Sequence, residues 1–435
     1  MDNLVNQGFQ GKIYPVNPTS SEIMGFECYP DIGSVPGQVD VAVITLPAKV
    51  TVKILPDCVK KKVKFVIAVA GGFGETGEEG KSLESELKKA IEGTDTRLIG
   101  PNTVGVIFPH SKVNTALTPG DRIYYPGVGD IAFISQSGAL GLLVMDSLTE
   151  TDTGVSGFVN IGNRADITEV DLLRMFNEDP KTKSIVMYLE SISDGEKFFN
   201  AIRQITTKTP IIVLKTGRSE AASVAASFHT GAMASDDRVT EGVLRQAGAI
   251  RAYNETELLD FGKALAQALP MKGNRVAVIT TAGGVGVLTA DLLSIEDDLP
   301  KLTLSKFSDR EISKLKENAL PIASVHNPID LTADGSTESY AKILDILTGS
   351  PEVDGIIAYA LPQTPKVDVS IIEPLKKAES KKPLLVGVIG NRLAKDLLRE
   401  FEKAGVPAYP SVERTVRSMK ALYQHELFRR RLQNE

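Results

Sequence analysis

Few residues in this 435-residue chain could do covalent chemistry. Of its four histidines, His229 stands in AASFHTGAM (225–233), among small uncharged residues with no cysteine, carboxylate or second histidine beside it. A neutral imidazole is a nucleophile near pH 7, and a carboxylate on its other ring nitrogen fixes the tautomer and steadies developing positive charge. Glu190 is the candidate carboxylate. It ends the apolar run TKSIVMYLE (182–190), where a charge has little packing value. Residue type alone does not decide, because a lone loop histidine also serves as a hydrogen-bonded structural residue.

Two glycine-bearing turns, SQSGALGLL and TAGGVGVLT, read as strand exits that run straight into helices. A helix N-terminus offers free N–H groups and the positive end of the macrodipole, which together suit a phosphate. Close helix–strand packing asks for the same glycines. The candidate phosphate-binding residues are Ser137, Gly138, Gly283 and Gly284. Two such helix starts and one histidine suggest a site for the phosphate of a phosphohistidine.

These residues need a framework, and the sequence supplies one. Eight apolar, β-rich runs alternate with helix-like segments: 39–47, 63–71, 129–136, 182–190, 209–217, 274–282, 353–361 and 382–390. Continuous apolar strands alternating with amphipathic helices predict α/β domains whose parallel sheets are covered on both faces, with ligands gathering at the strands' carboxyl ends.

Beneath the alternation lies an internal repeat. ISQSGALGLLVMDSL begins at Ile134 and ITTAGGVGVLTADLL at Ile279, 145 residues later, and Gly138/Gly283, Gly141/Gly286 and Asp146/Asp291 coincide. Further on, Tyr188 pairs with Tyr359, Gly217 with Gly390 and Gly248 with Gly405. The copies fill roughly 126–268 and 269–435. Between its last two matched glycines the first copy is 16 residues longer, and that insertion holds His229. Glu190 of the first copy faces Leu361 of the second. Gain of an imidazole and a carboxylate by one copy favours function over packing.

Composition narrows the class. A net charge of −6 with no basic stripe argues against nucleic acid as the partner. No apolar stretch is long enough to span a bilayer and no signal-peptide pattern is present. Cys28 and Cys58 lack metal or disulfide spacing, which fits a reducing cytosol and predicts a cytoplasmic protein. No P-loop lysine is present and the dinucleotide fingerprint is incomplete at either of the two glycine turns, which speaks against a nicotinamide-dependent oxidoreductase.

In order along the chain, GKIYPVNP, GPNTVGV, ISQSGALG, YLESI, SFHTGAMA, TTAGGVGVL and NPIDLTAD resemble the α subunits of ADP-forming acetyl-CoA synthetases, NDP-forming acyl-CoA synthetases related to succinyl-CoA synthetase. The resemblance implies a Rossmann-like CoA-binding domain (1–125) followed by two flavodoxin-like doubly wound domains (126–268 and 269–435). It also implies the reaction: acyl-CoA, ADP and phosphate interconvert with acid, CoA and ATP through an acyl phosphate and a phosphohistidine. The family's phosphohistidine falls on His229, its orienting carboxylate on Glu190, and its phosphate-facing helix starts on Ser137–Gly138 and Gly283–Gly284. Asn17, Pro47, Ala48, Phe73 and Asn102 fall on the CoA site.

Two departures shape the expectations. The chain opens on MDNLVNQGFQG, which reads as a helix end, so the CoA domain lacks its first strand and Gly-rich loop. A misplaced start explains this better than an impaired CoA site. No ATP-grasp segment is found, so the family implies a separate ATP-grasp β subunit carrying ADP or ATP with Mg2+, in an α2β2 heterotetramer. A non-catalytic CoA-binding or regulatory protein on the same fold is the alternative. The identity of the small organic acid is not readable.

Overall fold

The computed structural model describes residues 1–219, 221–222 and 236–434. They divide into two compact units. The first comprises Met1–Thr149, Gly154–Ile202 and Leu214–Val243, the second Glu150–Thr153, Arg203–Val213 and Leu244–Glu435. All eight apolar runs contain a strand; seven are trimmed at both ends, while the strand of the run 129–136 is Val128–Ser135.

After a short antiparallel pair, Glu22–Ile23 with Phe26–Glu27, the first unit holds a three-stranded parallel sheet in the order Val41–Ile44, Phe65–Ala68, Arg97–Ile99. Helices Ala48–Lys60 and Glu78–Ile91 bury Leu55, Cys58, Leu87 and Ile91 in one core with Ala42, Ile44, Val66 and Phe73. On the other face Val41, Val43 and Phe65 are exposed, so the expected cover on both faces is not met in this sheet. An alternating rather than continuous burial pattern along Val41–Ile44 is the consequence.

A second sheet in this unit runs Ser184–Leu189, Val128–Ser135, Val155–Asn160, all parallel. Two short antiparallel strands, Val106–Phe108 and Val113–Asn114, extend it beside Val155–Asn160. All six residues of Ser184–Leu189 are buried, as a covered parallel strand requires.

The second unit holds a parallel sheet in the order Thr303–Leu304, Arg275–Thr280, Gly355–Tyr359, Leu384–Gly387, Ala408–Tyr409, with Ile329–Asp330 also paired to Arg275–Thr280. Helix Glu255–Gln267, which the repeat assigns to the preceding domain, packs Ala264 and Leu265 into the core beneath this sheet.

The repeat is visible in atomic detail. In each copy the strand that enters the glycine turn lies between the same two neighbours in topology. Ser135 Oγ donates to Ser137 O (2.7 Å), and at the equivalent place Thr280 Oγ1 donates to Ala282 O (3.3 Å). The paired glycines Gly217/Gly390 and Gly248/Gly405 all have positive φ, a backbone state that only glycine adopts freely. Among the described residues no helix is long and apolar enough to cross a membrane.

Candidate functional site

Strand exits in the first unit converge on two clusters, one at each of its two larger sheets. The CoA-type cluster is made by the loops after Ile44, Ala68 and Ile99. Pro47 precedes helix Ala48–Lys60 as its N-cap residue, and Ala48 is buried at the first helical position. A Cβ on Gly72, which has φ +97°, would touch Ala48 Cβ at 3.4 Å. Asn102 is exposed, adopts φ +59° and donates its backbone N–H to Ala70 O (3.0 Å). These loops therefore bring Pro47, Ala48, Phe73 and Asn102 to one sheet end. Phe73, however, is fully buried in the core, which leaves only its main chain for a ligand. Asn17 follows no strand. It sits beside an isolated bridge between Val16 and Tyr29, and its carboxamide oxygen accepts from Thr19 N (3.0 Å), Thr19 Oγ1 and Ser20 N.

Glu75 organises the Gly71–Gly77 loop from within. One carboxylate oxygen accepts from the N–H groups of Gly72 (2.5 Å) and Phe73 (3.2 Å), and the other from Asn163 Nδ2 (2.5 Å). Burial alone would raise this carboxyl group, but those donors outweigh it and hold it below the ordinary glutamate value. Asn163 Nδ2 also donates to Glu84 (3.1 Å), and its oxygen accepts from Asn102 Nδ2 (3.3 Å).

The second cluster lies at the ends of Val128–Ser135 and Ser184–Leu189. Ser137 caps helix Gly138–Leu148, its hydroxyl accepting from Leu140 N (3.4 Å). Glu190 is half-buried just past its strand. Gln136 joins the two, since its Oε1 accepts from the N–H groups of Glu190 (2.9 Å) and Ser191 (3.0 Å). The main chain at Glu190 is thus held to the residue that precedes the Ser137–Gly138 helix start. The glycine there has a packing reason as well, because a Cβ on Gly138 would lie 2.6 Å from Val104 Cγ1.

In the second unit Gly283 and Gly284 begin helix Gly283–Ser294. Around Gly284 the space is open, with no atom within 4 Å of a Cβ placed there. Beside Gly283 stands a carboxylate, as a Cβ there would be 2.9 Å from Asp330 Oδ2. Asp330 already supplies the negative charge that a helix start favours, so a phosphate would meet it as a like-charged neighbour. His229 lies outside the described residues, and no group of three or more His, Cys, Asp or Glu able to hold a metal occurs among those described.

Sequence reasoning missed Gln136, Asn163, Arg164, Glu75 and Asp330. Gln136 lies inside ISQSGALG and Asp330 inside NPIDLTAD, so membership of a quoted motif was a signal for two of them, and Glu75 neighbours the candidate Phe73 in a glycine-rich stretch. Asn163 and Arg164 carried none.

Residues 1–109 match the CoA binding domain family and residues 128–265 the succinyl-CoA ligase like flavodoxin domain family. The chain is 36% identical to subunit α of acetate–CoA ligase [ADP-forming] I from Pyrococcus furiosus, over 98% of this chain and 92% of that one. It is also 36% identical to acetate–CoA ligase [ADP-forming] from Methanocaldococcus jannaschii, covering 99% of this chain but 60% of that longer protein. Among solved structures, dinucleotide forming acetyl-coenzyme A synthetase 1 of Ca. Korarchaeum cryptofilum, in complex with phosphate and ADP, superposes with a TM-score of 0.89 at 34% identity, over 99% of this chain and 92% of that one. The chain belongs to the family of ADP-forming acetate–CoA ligase α subunits, within the succinyl-CoA-ligase-like group.

Proposed function

We propose that the chain is the α subunit of an acid–CoA ligase (ADP-forming) that works through an acyl phosphate and a phosphohistidine on His229. The observation that carries this reading is the junction made by Gln136, which holds the Glu190 strand end against the Ser137–Gly138 helix start.

In the first step a phosphate oxygen attacks the thioester carbonyl of acyl-CoA. The new C–O bond forms as the C–S bond breaks, and CoA leaves as the thiolate. The N–H groups at the Gly138 helix start would steady the phosphate's charge. A ring nitrogen of His229 then attacks phosphorus, forming N–P and releasing the free acid as the P–O bond breaks. Glu190 takes the hydrogen bond from the other ring nitrogen and offsets the imidazolium charge. Finally a β-phosphate oxygen of ADP attacks phosphorus, and the imidazole leaves. Each step reverses, so the same groups serve ATP consumption.

Within this reading the domains are 1–125, 126–268 and 269–435, which the family matches at 1–109 and 128–265 support. Pro47, Ala48, Asn102, Asn17 and the main chain at Phe73 contact CoA. Ser137, Gly138, Gly283 and Gly284 contact phosphate. An ATP-grasp β subunit carries the nucleotide and Mg2+ in an α2β2 assembly in the cytoplasm. The naming of the relatives as α subunits supports a partner chain.

A coupled assay with the β chain added, supplied with acyl-CoA, ADP and phosphate across a panel of acyl groups, tests the proposal. It predicts ATP formation that requires both chains. Tight CoA binding with no turnover on any acyl-CoA would overturn it in favour of a non-catalytic CoA-binding protein.

A further inference from the structure

Residues 161–167 form a strip pressed against the CoA-type loops. Asn163 N donates to Pro101 O (2.9 Å), Ala165 N to Gly100 O (2.9 Å) and Ile167 N to Leu98 O (3.1 Å). Asp166 accepts from Leu98 N (2.8 Å) and Arg97 Nε (2.9 Å). Gly162, at φ +53°, lies so close that a Cβ would be 2.2 Å from Pro101 O. This strip ties Asn163, and through it Glu75 and Asn102, to the CoA-type loops.

The next residue reaches the other cluster. Arg164 holds φ +60°, a left-handed state that costs a non-glycine residue energy and persists where the surroundings impose it. Its side chain is 11% exposed and pairs with the fully buried Glu169 (3.3 Å). Arg164 Nη1 donates to Ser191 O (2.9 Å) and Nη2 to Ser191 Oγ (2.8 Å). Ser191 Oγ also accepts from Gln136 Nε2 (3.1 Å). Glu169 fixes the following turn by accepting from Ser193 N and Oγ, both at 3.0 Å. The Glu190–Ser191 segment is therefore gripped by Gln136 on one side and Arg164 on the other.

We propose that Arg164, together with Asn163, is a positioning element: through Ser191 it fixes, from the CoA-type loops, the strand end that carries Glu190. Contiguous hydrogen bonds of this kind can carry coupling between sites. The inference rests on the proposed role of Glu190 and deepens it.

The test follows labelling of the full chain's histidine by radiolabelled acetyl phosphate, a reaction that involves no CoA. Arg164→Met would strand Glu169 as an unpaired buried carboxylate, so Arg164→Lys and Ser191→Ala carry the experiment. Both are expected to slow labelling on the order of 10- to 100-fold, with CoA affinity changed less than about twofold by calorimetry. Glu75→Gln, in the CoA-type loop, is expected to slow the same CoA-free reaction several-fold.

A carboxylate nearby raises an imidazole's pKa, so withdrawing it shifts the acid limb of the rate profile to lower pH in Arg164→Lys and Ser191→Ala. A merely structural role would scale the rate equally at every pH and overturn the proposal. Normal labelling in Ser191→Ala and Glu75→Gln, with Glu190→Gln inactive, would overturn it alone. Normal labelling in Glu190→Gln would instead remove the role of Glu190 on which it stands.

Discussion

Gly138→Ala separates the two reasons for a glycine at the first helix start. A Cβ there would lie 2.6 Å from Val104 Cγ1 and 3.4 Å from Asn160 Oδ1. Carbon atoms in contact prefer about 3.5–4.0 Å, so one side must yield by roughly 1 Å. Val104 cannot retreat easily. Its N–H is bound to Asn160 Oδ1 (2.8 Å), its carbonyl accepts from Leu117 N (2.9 Å), and its β-branched side chain is stiff. Overpacking of this kind costs about 1–3 kcal/mol, against at most about 1 kcal/mol gained from helix propensity. With the full propensity gain, a net loss of up to about 2 kcal/mol follows. Removing the offending methyls should recover it, because Val104 Cβ itself would stay at 3.7 Å. Gly138→Ala/Val104→Ala is thus expected to be less destabilised than the two single changes summed, by about 1–2 kcal/mol. Hydrogen exchange of peptides spanning 134–148, with urea unfolding, measures the cycle. Additive effects, or a Gly138→Ala more stable than wild type, would refute the packing argument.

Three further outcomes follow from the same structure. Gly284→Ala meets nothing within 4 Å, so urea unfolding should show it neutral to stabilising by up to about 1 kcal/mol, and a loss of more than that would mean an undetected contact. Burial pushes the Cys58 thiol up to about 11, and the residue is 1% exposed. It should resist thiol reagents at pH 8 until the protein unfolds, whereas prompt native labelling, mapped by mass spectrometry, would contradict that. His425 is held below its ordinary value, chiefly by burial, with Nε2 against Thr206 O (2.9 Å). Held neutral in the fold, it binds fewer protons there than in the unfolded chain. Its contribution is complete above the ordinary imidazole pKa, near 6.5, and is lost as pH falls below it. The slope is at most about 1.4 kcal/mol per pH unit. In urea unfolding between pH 7.5 and about 5, His425→Asn should flatten that fall, and an unchanged slope would sink the assignment.

What the sequence made legible is the framework. Continuous apolar runs such as SIVMYL and the glycine turns at Gly138 and Gly283 state strand, turn and helix locally, and the repeat states them twice. The paired positive-φ glycines show why the alignment worked, since a backbone requirement is written in residue type. The site's wiring was not legible. Gln136 reaches Ser191 across 55 residues, Asn163 reaches Glu75 across 88 and Arg164 reaches Ser191 across 27, and a loop asparagine bonded to Glu75 looks like any other. Phe73 reads as a ligand contact because it stands in a glycine-rich loop, yet its ring anchors that loop in the core. The strands Val106–Phe108 and Val113–Asn114 are too short to show a period, and the first runs antiparallel to both Val155–Asn160 and the second.

The central claim is that His229 carries phosphate. Incubating the full chain with acetyl-CoA and radiolabelled inorganic phosphate, then mapping the label by mass spectrometry, tests it directly. The account predicts an acid-labile, base-stable phosphate on the peptide containing His229, absent from His229→Ala and strongly reduced in Glu190→Gln. Undiminished label in His229→Ala, or label on any other residue, would contradict it.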